Sequence, residues 1–92
     1  MAEFNHKTFG RLVIKDLTQR DMENYIAAMK DKSELTMAEY EGQAVRASAK
    51  LGLIAEPKLT DDTVDALPRK KVKWIADKLA NVIAEANRLD PE

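Results

Sequence analysis

A mainly α fold, three helices with a short β-strand or hairpin at the N-terminus, is what this 92-residue sequence predicts. Three observations carry that prediction. Apolar residues recur at helical spacing in three separate segments. Residues that cap or open helices stand at the start of those segments. A cluster of β-branched and aromatic residues precedes the first of them. At this length one core uses most of the chain, so residues 1–92 read as a single domain.

Residues Thr8 to Lys15 hold Phe9, Leu12, Val13 and Ile14, the composition of a short strand, with Gly10 permitting a bend or bulge. A lone strand leaves its ladder unpaired, so it needs either Glu3 to Asn5 across a turn near His6 or a second subunit. The first helix opens at Thr18. Its hydroxyl can accept from a first-turn amide, and Asp21 places negative charge at the positive end of the dipole. Met22, Tyr25, Ile26 and Met29 then fall at i, i+3, i+4 and i+7 and form one apolar stripe.

Asp31, Lys32 and Ser33 interrupt this pattern, after which Thr36 and Glu39 make a capping box, with Leu35 placed to staple the entry. The second helix is expected to face inward through Met37, Tyr40, Ala44, Ala47, Ser48 and Leu51, and to stop at Gly52. Leu53 to Leu59 reads as a crossing loop. Thr60, Asp61 and Asp62 start a short helical turn that ends near Leu67, and Pro68 suits the first position of the last helix. That helix, about Arg69 to Arg88, gathers Val72, Ile75, Ala76, Leu79, Val82, Ile83, Ala86 and Leu89 in one sector.

Charge is dense but balanced, with 15 Lys and Arg against 16 Asp and Glu and a formal net charge of −1. A module dedicated to nucleic acid or to membrane surfaces ordinarily has a basic excess, so neither is the favoured partner. There is no cysteine, which removes disulfides, thiolate ligands and thiol nucleophiles together. Neither a leader pattern nor an apolar run of about 20 residues is present, and the expected location is cytoplasmic.

Catalytic chemistry finds little to work with. His6 is the only histidine, and it reads as a solvent-exposed or turn residue. Asp61, Asp62 and Asp65 lack the spacing of a calcium loop and fit helix capping better. Gly10, Gly42 and Gly52 are scattered and build no phosphate cradle. No enzyme, cofactor or metal is expected. The basic run Arg69, Lys70, Lys71 and Lys73 sits where the helix dipole disfavours cations, and the acidic segment Asp61 to Asp65 is its expected compensation. An acidic protein or nucleic acid is the sharper alternative.

Trp74 points away from the apolar sector of its own helix. Either the strand or Leu53 and Ile54 cover it as part of the core, or it anchors an exposed stripe of Lys70, Trp74, Asp77 and Asn81. That stripe, with Arg69, Lys71 and Lys73 beside it, is the candidate partner-binding surface.

Several runs together resemble the small tail assembly chaperones of long-tailed bacteriophages and prophages. They are Leu17-Thr18-Gln19-Arg20-Asp21, the Tyr40 to Ile54 segment with Val45-Arg46-Ala47, Val64-Asp65-Ala66-Leu67-Pro68 followed by Val72 and Trp74-Ile75-Ala76, and the Asp90-Pro91-Glu92 end. The resemblance spans about Leu12 to Glu92. It departs from the family pattern at Arg69-Lys70-Lys71, where a second proline or small residues often follow Pro68. It implies a non-catalytic helper that binds the helical tape measure protein, assists tail tube assembly and acts in the host cytoplasm. The other readings are a structural virion or adaptor component and a small nucleic-acid-binding regulator using Arg69 to Lys73; self-association into a homo-oligomer stays open under each.

Overall fold

The computed structural model describes residues 1–32 and 34–88. Seven elements follow in order: β1 (Ala2–His6), β2 (Gly10–Ile14), α1 (Gln19–Ala28), α2 (Met37–Lys50), β3 (Ile54–Glu56), α3 (Asp61–Asp65) and α4 (Arg69–Ala86). The predicted N-terminal β element is a hairpin within the chain, β1 antiparallel to β2 with Phe4 opposite Leu12. "Mainly α" understates the sheet. Of the described residues 54% are helical, and β3 adds to the other edge of β2 to give a three-stranded antiparallel sheet in the order β1-β2-β3.

The segment read as a loop after α2 therefore holds a strand. Ile54 pairs with Ile14 and Glu56 with Val13, across a register shift between Val13 and Ile14. Three residues ahead of Pro57 are too few to show a two-residue alternation. On the outer face of the sheet Arg11 bridges Glu3 at 3.1 Å and Glu56 at 3.2 Å. Such half-exposed pairs contribute little stability, but they mark that face as solvated.

Each predicted start is in place. Thr18 accepts from the Asp21 amide at 3.1 Å, and the Thr18 amide donates back to the Asp21 carboxylate at 3.0 Å. Thr36 and Glu39 make the same reciprocal pair, and Thr60 caps α3 with Thr63. Pro68 stands one position earlier than expected, as the N-cap of α4, with the Lys71 and Val72 amides donating to its carbonyl. At the end of α2 the Leu53 amide donates to the Ser48 carbonyl at 2.9 Å and the Gly52 amide to Ala49 at 3.2 Å. These two bonds form a Schellman stop, which needs the left-handed φ of +73° that Gly52 adopts.

One core cluster joins all layers: Leu12 and Ile14 of β2, Ala44 and Val45 of α2, Ile54, Val64, and Val72, Ile75, Ala76 and Leu79 of α4. α4 organises it by packing against both α2 and β2. Val82 and Ile83 are partly buried on the cluster, while Ala86 is exposed and Leu89 lies outside the described residues. Ser33 and Asp90-Pro91-Glu92 lie outside them as well.

Two inward faces differ from expectation. In α1 Ile26 stays 63% exposed, leaving Met22, Tyr25 and Met29 partly buried. In α2 Ala44 and Ser48 do face in, joined by Glu41, Gly42 and Val45, and Ala47 and Leu51 are partly buried, while Met37 and Tyr40 are exposed. The helix is rotated because Val45 is the branched residue that fills the core and because Glu41 meets cations of α4. An apolar pattern cannot register an inward glutamate.

Ser48 is completely buried, and its hydroxyl has no hydrogen-bond partner among the described residues. An unpaired buried hydroxyl is a liability. Ser48→Ala should leave stability unchanged or raise it by up to about 1 kcal/mol in urea unfolding. A loss above about 1 kcal/mol would show that the hydroxyl has a partner.

Candidate functional site

Trp74 is half-buried, and the hairpin covers it. His6, at the end of β1, stacks on Phe9 with centroids 4.4 Å apart and meets Trp74 edge-on at 5.2 Å. Phe9 lies 5.9 Å from the Trp74 ring. The His6 ring is held in place because its Nδ1 accepts from the Thr8 amide at 2.9 Å and the Phe9 amide at 3.1 Å. His6 is thus a turn residue that shapes the hairpin tip, and the tip in turn seats on α4. Of the two readings of Trp74, the geometry supports cover by the strand element.

The other stripe residues do not gather around it. Lys70, Asp77 and Asn81 are exposed. Asp77 borders a groove toward α1 and α2, while Asn81 borders a different one toward the hairpin. The basic run also divides. Arg69 pairs with Glu41, and Lys73 lies 3.4 Å from Glu41 and 3.6 Å from Asp77. Lys70 and Lys71 form no ion pair among the described residues. The expected compensation by Asp61 to Asp65 is not what the structure shows. Asp65 pairs with Arg46, and the cations of α4 answer to Glu41 across the α2–α4 contact.

Glu41 is 6% exposed. Burial pushes its carboxyl up, but the Arg69 hydrogen bond and the charges of Lys73 and Arg69 outweigh this, and the net displacement is downward from 4.5. A depressed carboxyl contributes stability above its unfolded pKa and loses it as pH falls through the folded value. Glu41→Gln should therefore cost about 1 kcal/mol at pH 7, a modest figure because both cations are half-exposed. The difference from the parent should shrink as pH drops below 4.5. An equal difference at pH 3 and pH 7 in urea unfolding would rule the ion pairs out.

Two exposed apolar residues, Met37 and Tyr40, lie together on a groove that Asp77 alone of the predicted stripe borders. Met37 is 71% and Tyr40 40% exposed. Both border a groove of about 410 Å³ walled by Tyr25 of α1, Ala44 of α2, and Ala76, Ala80, Ile83 and Ala84 of α4. Burial pushes the Tyr25 phenol up to about 12, with the nearby Tyr40 acting in the same direction. A second groove of about 470 Å³ lies between the hairpin and α4. Its rim carries Lys15, Asp16, Asn81 and Glu85, and Met1 at its edge is tied by its amino group to Asp16. The first groove is the better candidate because its rim holds two large apolar side chains that the fold does not use.

Sequence reading missed this groove because it assigned Met37 and Tyr40 to the core. The available signal was their place in the first turn of α2, where a side chain lies at the edge of the helix pair. No three His, Cys, Asp or Glu residues cluster for a metal ion, and no helix is long and apolar enough to cross a membrane, among the described residues. Comparison with family models, with curated proteins and with solved structures returned no match.

Proposed function

We propose that this chain is a non-catalytic protein-binding module that receives an amphipathic helix in the groove between α1, α2 and α4. The observation that carries the reading is the exposure of Met37 and Tyr40 on the rim of a groove floored by small residues. Ala76, Ala80 and Ala84 recur every four residues along α4, so a second helix backbone can approach closely there. Large flexible side chains beside small ones suit a helix-in-groove mode of recognition.

Together with the motif resemblance, this supports a role as a tail assembly chaperone that binds the tape measure protein and assists assembly of the tail tube. Co-expression should keep the tape measure protein in the soluble fraction, with this chain co-purifying, and the chain should be missing from mature particles by mass spectrometry. A tape measure protein that stays insoluble under co-expression would contradict the reading. Presence in the particle would instead favour a structural or adaptor component, for which the unpaired edge of β1 offers a sheet-addition surface. The nucleic-acid reading loses support because Arg69 and Lys73 face Glu41, leaving Lys70 and Lys71 as a small basic patch.

A further inference from the structure

The two edges of the sheet differ. β3 spans three residues and runs into Pro57, which has no amide to donate. β1 presents five residues in regular register with β2, with no proline, lysine or bulge among them. Its one charge, Glu3, is held by Arg11 of its own chain at 3.1 Å. On its outer side β1 has no partner strand among the described residues.

The sequence of β1 is complementary to itself. An antiparallel copy centred on Phe4 sets Ala2 opposite His6 and Glu3 opposite Asn5, so no like charges meet. Centring one residue earlier would set Glu3 against its own copy. The Phe4 register also keeps the partly buried Ala2, Phe4 and His6 of both copies on one face of the sheet.

α4 runs along that face in the direction opposite to β1. Trp74 meets His6, Lys78 lies 5.4 Å from the centre of the Phe4 ring, and Val82 shares a groove with Ala2. Four helical residues rise about 6 Å and two strand residues about 6.6 Å, so the two elements keep step. A two-fold axis through Phe4 therefore sets two copies of α4 antiparallel and centred on Lys78. With strands about 4.8 Å apart, helices beneath the two hairpins come within about 10 to 14 Å, close to packing distance. Lys71 and Glu85 stand seven residues on either side of Lys78, on one stripe of α4. Each Lys71 thus approaches the Glu85 of the other copy. The two Lys78 ammonium groups repel at the axis, which keeps the association weak.

We propose that the chain forms a symmetric dimer by antiparallel pairing of β1 with β1 of a second copy, giving one continuous sheet with the two α4 helices side by side beneath it. This surface is separate from the groove between α1, α2 and α4, and the dimer does not depend on what that groove binds.

Sedimentation equilibrium of the full chain tests the dimer. A reversible monomer–dimer equilibrium should appear between about 10 µM and about 1 mM, as befits a small interface. Asn5→Glu sets a carboxylate against Glu3 of the other copy at two symmetry-related places, and should weaken the dimer about tenfold. Within the chain the substituted position lies opposite Arg11, so the hairpin keeps its fold. Adding Glu3→Lys to Asn5→Glu puts opposite charges across the axis and should restore the parent's association. A chain that is monomeric throughout the range would overturn the proposal and leave the β1 edge to a strand of another polypeptide. A dimer that Asn5→Glu does not weaken, or a weakening that Glu3→Lys does not reverse, would overturn it as well.

Discussion

Replacing Trp74 with alanine should lower stability by about 3 kcal/mol, at the lower end for loss of a large aromatic because the side chain is not fully buried. In a domain this small that is a fall in Tm of roughly 12 to 24 °C. The loss comes from the hairpin tip, where His6 and Phe9 rest on the indole. Trp74→Phe keeps an apolar ring under the tip and should recover most of the stability. A double-mutant cycle with His6→Ala should give a coupling of about 1 kcal/mol, as expected for an edge-on ring pair. Where Trp74→Ala remains folded, at low temperature, its affinity for a helical partner should match that of the parent within about twofold. An unchanged Tm with lost binding would return Trp74 to the role of interface anchor.

The converse behaviour is expected at the groove rim. Met37→Glu with Tyr40→Glu places two carboxylates where a partner helix would otherwise be desolvated, and should weaken binding about 100-fold, or about 2.7 kcal/mol. Stability should change by less than about 1 kcal/mol. Met37 is largely solvent-exposed, and acidic residues in the first turn of α2 complement its dipole. Isothermal titration with a helical peptide, paired with urea unfolding, separates the two effects. Unaltered affinity in the double variant would place the partner surface elsewhere.

These two sites show where sequence reading succeeds and where it stops. Helix starts were legible because capping is local. Thr18 with Asp21 and Thr36 with Glu39 lie three residues apart, and nothing distant is needed to complete them. The Gly52 stop was legible for the same reason. The phase of α2 was not, because it depends on Arg69 and Lys73, which lie 28 and 32 residues beyond Glu41. The apolar spacing alone places Met37 and Tyr40 on the inward face, and so hides the groove that they border.

β3 was hidden for a related reason. Ile54, Ala55 and Glu56 form a strand only because β2 offers an open edge, and Pro57 ends the segment before any alternation can build up. The hairpin was half legible. The apolar run from Leu12 to Ile14 identified β2, but the choice between a partner strand within the chain and one from another subunit depends on the turn. There His6 proved decisive, by accepting two turn amides through Nδ1. The same ring then covers Trp74, so one histidine accounts for both the hairpin tip and the tryptophan that no helical sector could place.

The proposed binding mode seats a helix from another polypeptide between α1, α2 and α4. The most direct measurement is an amide NMR titration of the isotope-labelled chain with a peptide from a long amphipathic segment of a tape measure protein. The perturbed amides should centre on Met37 to Ala44 and Ala76 to Ala84, together with α1, while the hairpin tip around His6 and Phe9 stays unshifted. Perturbations confined to Lys70 and Lys71, or running along β1, would contradict it.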